Sequence, residues 1–173
     1  MSEKNSVLLL CRTAFLSAVA LVLSIFESSL PPLPFVLPGM KPGLSNLAVM
    51  FCLEVCPLPC ALSIVVVKGL FALLTRGVTA FFMSTAGGLL ATLGMYILVK
   101  QKRLTFGSFG IGIWGAFLHN CGQLMVAWIL VSDAVFGYFP VLMLSALATG
   151  AVTGLVYYVS MPALRRAPLM GNL

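Results

Sequence analysis

Between Arg103 and Asp133 run 29 residues without a formal charge, and comparable apolar stretches fill most of the remaining chain. A helix needs about 20 mostly apolar residues to cross the hydrocarbon core of a bilayer. Only 8% of the 173 residues are charged and 61% are hydrophobic, whereas a soluble domain carries roughly 25% charged residues. Water could not solvate such a surface, so lipid must. The expected fold is an all-α membrane protein: one domain over 1–173, a compact bundle of about six transmembrane helices. The apolar segments lie at about 8–30, 44–56, 60–75, 79–99, 109–131 and 135–160. The first has the basic flank of a signal peptide. Glu27-Ser28-Ser29-Leu30-Pro31 is a poor cleavage site, however, and further spans follow, so it reads as a helix.

Charge sets the expected orientation. Seven of the ten cations (Lys4, Arg12, Lys100, Lys102, Arg103, Arg165, Arg166) cluster at segment ends, the pattern of cytoplasmic anchors. Six crossings with both termini cytoplasmic put all of them inside and leave Arg76 and Asp133 outside. Arg12, near the start of the first segment, is expected to snorkel to the headgroups. No basic face interleaved with aromatics is present, which excludes nucleic acid as a partner.

Between the first two segments, Pro31, Pro32, Pro34, Pro38 and Pro42 fall within twelve residues. They exclude a continuous helix and favour extended backbone folded against the bundle. The second segment is short for a span, so it is expected to tilt or to be helped by backbone buried in protein. Pro57-Leu58-Pro59 makes the next turn. Cys52, Cys56 and Cys60 are spaced by four with no CxxC pair and no nearby His, which suggests apolar filler rather than a metal site. Small residues recur at helical spacing: Ala14 and Ala18; Gly112, Gly115 and Gly122; Ala146, Gly150 and Gly154. Such stripes let helices approach closely in lipid.

Ionisable residues within spans are expensive and mark sites by default. Lys68 has 13 uncharged residues before it and seven after. Either a ligand faces it or it forms an internal ion pair with Glu27 or Glu54. His119 and Gln123 are four apart on one helix face beside Asn120, with Gly115 and Gly122 leaving room for a partner group or a neighbouring helix. Glu27 and Arg76 sit at the expected outer ends of their helices, as an ion pair, a gate or simple snorkelling groups. Lys41 and Asn46 flank Gly43 at a helix start, where unpaired N–H groups favour an anion. Lys41, Asn46, Lys68, His119, Asn120 and Gln123 are therefore the expected lining of a pocket for an acidic or strongly polar small molecule. A lone His argues against a metal. The absence of GxxxxGK[ST], GxSxG, HExxH and any paired acidic motif for magnesium diphosphate argues against an autonomous enzyme, and no cofactor is expected.

Glu27-Ser28 followed by the proline-rich stretch and Pro38-Gly39-Met40-Lys41-Pro42-Gly43-Leu44-Ser45-Asn46 resembles the Pro-Gly-x-Lys-x-Gly-Leu-x-Asn signature of the Gx transporter family, also called heptaprenyl diphosphate synthase component I. Thr85-Ala86-Gly87-Gly88-Leu89 and His119-Asn120-Cys121-Gly122-Gln123-Leu124 resemble its later motifs. The likeness covers about residues 8–160, with Lys68 where the family pattern implies Arg. The family is similar to the substrate-binding S components of energy-coupling-factor (ECF) vitamin transporters. This resemblance implies a bacterial cytoplasmic membrane, an outward-facing site under the proline-rich loop as a lid, and Ala14 and Ala18 on a membrane coupling subunit served by ATPases. The expected function is uptake of a small polar or anionic metabolite, such as a vitamin or a quinone or isoprenoid precursor. The synthase name implies instead a non-catalytic membrane component beside a soluble prenyl transferase. A stand-alone secondary carrier is the third reading; no inverted repeat favours it.

Overall fold

A computed structural model describes residues 3–29, 41, 43–100 and 107–167. Most of the proline-rich stretch, together with Lys102 and Arg103, lies outside these residues. So does the lid expected from that stretch.

Among these residues six helices follow in order: α1 (Glu3–Ser29), α2 (Asn46–Val55), α3 (Leu58–Arg76), α4 (Val78–Lys100), α5 (Ser108–Leu130) and α6 (Phe139–Arg166). A short 3-10 turn, Asp133–Tyr138, leads into α6, and the described residues hold no strand. All but α2 are long and apolar enough to cross a membrane. The chain is thus a multi-pass helical membrane protein in its architecture. The helix α3 begins at Leu58 rather than after the Pro57–Pro59 turn. Proline in a first turn loses no helical hydrogen bond, so Pro59 is accommodated.

The helices α1, α3, α4, α5 and α6 neighbour one another in that order, forming an arc, and α2 packs inside it against all five. At ten residues, α2 rises only about 15 Å, half of the roughly 30 Å hydrocarbon core. The expected 44–56 span is therefore a half-length helix, and nine of its ten residues are buried. A helix apolar on every side is stable only when surrounded. Here the surrounding is protein.

One end of the bundle gathers the first turns of α1, the last turn of α2 and the last turn of α6. Arg165 of α6 pairs with Glu54 of α2, whose other oxygen accepts from the Tyr157 hydroxyl at 3.3 Å. Arg12 corrects an expectation: it does not snorkel outward but is 6% exposed, and its guanidinium donates to the Val55 carbonyl at 3.4 Å. The carbonyls at the C-terminal end of α2 lie where water is scarce. A cation there supplies a donor and opposes the negative end of the helix dipole.

Close crossings hold α4, α5 and α6 together. A Cβ built on Gly150 would lie 2.3 Å from the Ile113 Cα, and one on Gly122 would lie 2.7 Å from the Gly87 Cα. The room beside His119 and Gln123 is therefore filled: Met95 covers Gly115, and the α4 backbone covers Gly122. Ala14 and Ala18, in contrast, are exposed on α1.

Candidate ligand-binding site

The N-terminal end of α2 stops inside the bundle, level with the middle of α3 and α5. A helix start leaves N–H groups without partners, and in hydrocarbon they must find some. The chain turns into α2 through Gly43, whose φ of +95° favours glycine. The Gly43 N–H donates to Glu27 Oε1 at 2.6 Å, and the Leu44 N–H donates to the same oxygen. The unpaired donors expected at this helix start are thus met by the protein's own carboxylate. With Arg12 at the other end, α1 places opposite charges at both ends of α2, each matched to the dipole.

The site grows outward from this cap. Lys68 of α3 is 2% exposed, and its ammonium donates to Asn46 Oδ1 at 2.9 Å. Glu54 is far away at the other end of the bundle, so it is not the partner of Lys68. Glu27 acts on Lys68 only through space. Gln123 of α5 grips the backbone of Lys41 twice: its Oε1 accepts from the Lys41 N–H at 2.8 Å, and its Nε2 donates to the Lys41 carbonyl at 2.9 Å. The Lys41 ammonium turns to α1, donating to Ser24 Oγ at 3.0 Å and to the Ser24 carbonyl.

His119 fits between two backbones. Cβ atoms on Gly43 and Gly87 would each fall within 3.0 Å of its ring, so only glycine leaves space for the imidazole. Ser24, Glu27, Lys41, Ser45, Arg76, Ser84, His119 and Gln123 surround a cavity of about 10 Å³, room for a single water. Glu27 Oε2, Asn46 Nδ2 and His119 Nδ1, in and beside this cluster, are buried without a hydrogen-bond partner.

Of the residues expected from sequence, Lys41, His119 and Gln123 line this cavity, with Glu27 and Arg76 among them, and Asn46 and Lys68 sit directly behind. Asn120 does not join them. Its Nδ2 donates to the Leu142 carbonyl at 2.8 Å and to Ser145 Oγ at 3.1 Å, so it clamps α5 to α6. Ser24, Ser45 and Ser84 escape sequence reasoning because a serine in a span carries no charge to betray it. At the opposite end, Cys52 and Cys56 are buried and Cys60 is half-buried. No group of three metal-ligating side chains suited to an ion occurs among the described residues.

The fold and this cluster define a class: a multi-pass helical membrane protein with a closed polar site at the buried end of a half-length helix. The sequence profile of heptaprenyl diphosphate synthase component I matches residues 16–159, and the chain belongs to that family. No curated protein and no solved structure matches it.

Proposed function

We propose that this chain is a non-catalytic membrane subunit that holds a small anionic ligand inside the bilayer. The supporting observation is the charge around the start of α2: Lys41, Lys68 and Arg76 converge there on a single carboxylate among the described residues, Glu27. Burying a charge within a span is unfavourable, and a surplus of one sign is retained where something complements it. His119, Gln123 and the serines add polar groups that would fix the ligand's orientation. The one serine–lysine contact in the cluster has the Lys41 ammonium donating to Ser24 Oγ, and no metal-binding carboxylate cluster occurs among the described residues, which is why the proposed role is binding without bond chemistry.

The family's description favours one role for such a subunit, the membrane component of a heptaprenyl diphosphate synthase, with catalysis in a separate soluble prenyl transferase. A second role, substrate capture for an ATP-driven uptake system, is favoured by one surface feature. Ala14 and Ala18 stand exposed on α1 in the half of the bundle that carries Arg12 and Arg165, as a coupling subunit would require. That basic end is taken as cytoplasmic, in a bacterial inner membrane.

Affinity purification of the tagged chain from its native membrane separates the two roles. Recovery of a soluble prenyl transferase without ATPases supports the synthase role, and recovery of ATPases through a membrane subunit supports capture. ATP-independent uptake into vesicles holding the purified chain alone would refute both.

A further inference from the structure

The charges around the cavity specify more than an anion. We infer that the site takes a doubly charged oxyanion group, of the phosphate class, which replaces the Glu27 carboxylate on the N–H groups of Gly43 and Leu44. This rests on the anion-site reading above and adds the ligand's charge and its point of attachment.

The count is direct. Among the described residues, three basic side chains (Lys41 from the turn, Lys68 and Arg76 from α3) stand against one carboxylate, which leaves a surplus of two positive charges with Glu27 in place and of three once it is displaced. The positive end of the α2 dipole adds to that surplus. A single carboxylate on the ligand would leave the site still charged, whereas a phosphate group near neutral pH carries about two negative charges and accepts several hydrogen bonds. Neutral partners for those oxygens are at hand in Ser24, Ser45, Ser84 and the unpartnered Asn46 Nδ2.

The size of the cavity fixes where the group must sit. Room for one water cannot hold a phosphate beside the existing side chains, so something has to give way. Glu27 is the anion already on the helix start, and its second oxygen is buried without a hydrogen bond. An incoming oxyanion that takes its two N–H donors meets the strongest local preference for negative charge. Lys68, held by Asn46 directly behind, and Lys41, on the same turn, then flank the incoming group.

Phosphate chemistry can arrive as a soluble phosphoester or as a lipid headgroup. Four probes are to be titrated at pH 7.5 into protein purified in maltoside micelles free of phospholipid: inorganic phosphate, pyrophosphate, acetate and a short-chain phosphatidic acid. The inference expects saturable binding of phosphate or pyrophosphate. It expects Glu27→Gln, which keeps an acceptor but removes the competing charge, to tighten that binding by roughly tenfold, and Lys68→Met to weaken it by at least as much. Saturable binding of phosphatidic acid alone, with the same two mutational effects, keeps the phosphate class and assigns its source to lipid. Acetate binding as tightly as phosphate would overturn the double charge and the displacement of Glu27 while leaving an anion site. Absence of saturable binding for all four probes, in protein whose thermal transition shows it folded, would overturn the anion site as well.

Discussion

Replacing Lys68 by methionine separates a ligand site from an internal ion pair, because the two predict opposite signs for stability. Lys68 is 2% exposed and makes one hydrogen bond, to Asn46. A lysine at the centre of a span is unfavourable by about 2.5–3.5 kcal/mol on insertion scales. Methionine of similar length removes that burden and fills the same volume. What is lost is one interhelical hydrogen bond, worth on average about 0.6 kcal/mol in a bilayer. The balance is a protein more stable by roughly 2 kcal/mol that no longer holds its ligand. Were Lys68 instead one half of a buried ion pair, its removal would strand the partner charge and destabilise the fold by about 3–5 kcal/mol. Reversible unfolding in mixed micelles, followed by steric trapping without added ligand, measures the difference. A loss of stability of about 3 kcal/mol or more would refute the site reading and make Lys68 structural.

Three further outcomes follow from the same geometry. Asn120→Leu should weaken the α5–α6 contact by about 0.6–1.7 kcal/mol and leave ligand affinity unchanged, read by the same unfolding assay and by equilibrium binding. Gly87→Ala should drive a Cβ to within 2.7 Å of the His119 carbonyl oxygen and 2.8 Å of its Nδ1, abolishing binding and destabilising the bundle by about 1–3 kcal/mol. Lys41→Met should weaken anion binding about tenfold by removing one of the three cations beside the cavity, read by equilibrium binding. Lys41 is faced there by Ser24 and Glu27 from α1, Lys68 and Arg76 from α3, and His119 and Gln123 from α5. A Lys41→Arg variant, which keeps the charge, should hold its affinity.

The membrane class is legible from the near absence of charge alone, since no soluble core accommodates 29 uncharged residues in a row. The residues of the candidate site are legible for a related reason: hydrocarbon makes each buried polar group conspicuous, and Lys68, His119 and Gln123 stand out in the amino-acid sequence by themselves. Their partners do not. Arg12 and Glu27 both read as residues able to snorkel from the ends of α1. Only the placement of α2 as a half-length helix inside the bundle reveals that they cap its two ends. The spacing of these two residues carries no local signal, because it answers to a helix elsewhere in the chain. Asn120 misleads for the opposite reason. It lies next to His119 in sequence, but successive residues on a helix point about 100° apart, so it faces α6. The glycines at 112, 115, 122, 150 and 154 mark close contact without naming the partner, and helix spacing cannot say that α4 fills the space beside His119.

The account stands on the buried cations around α2 holding an anion that comes from outside the protein. Native mass spectrometry of the chain released gently from its own membranes reads this most directly. The expected spectrum shows a retained acidic, phosphorus-containing small molecule or lipid on the unmodified protein and its loss in Lys68→Met. A protein that carries no bound species, or one that the methionine variant retains to the same extent, would contradict it.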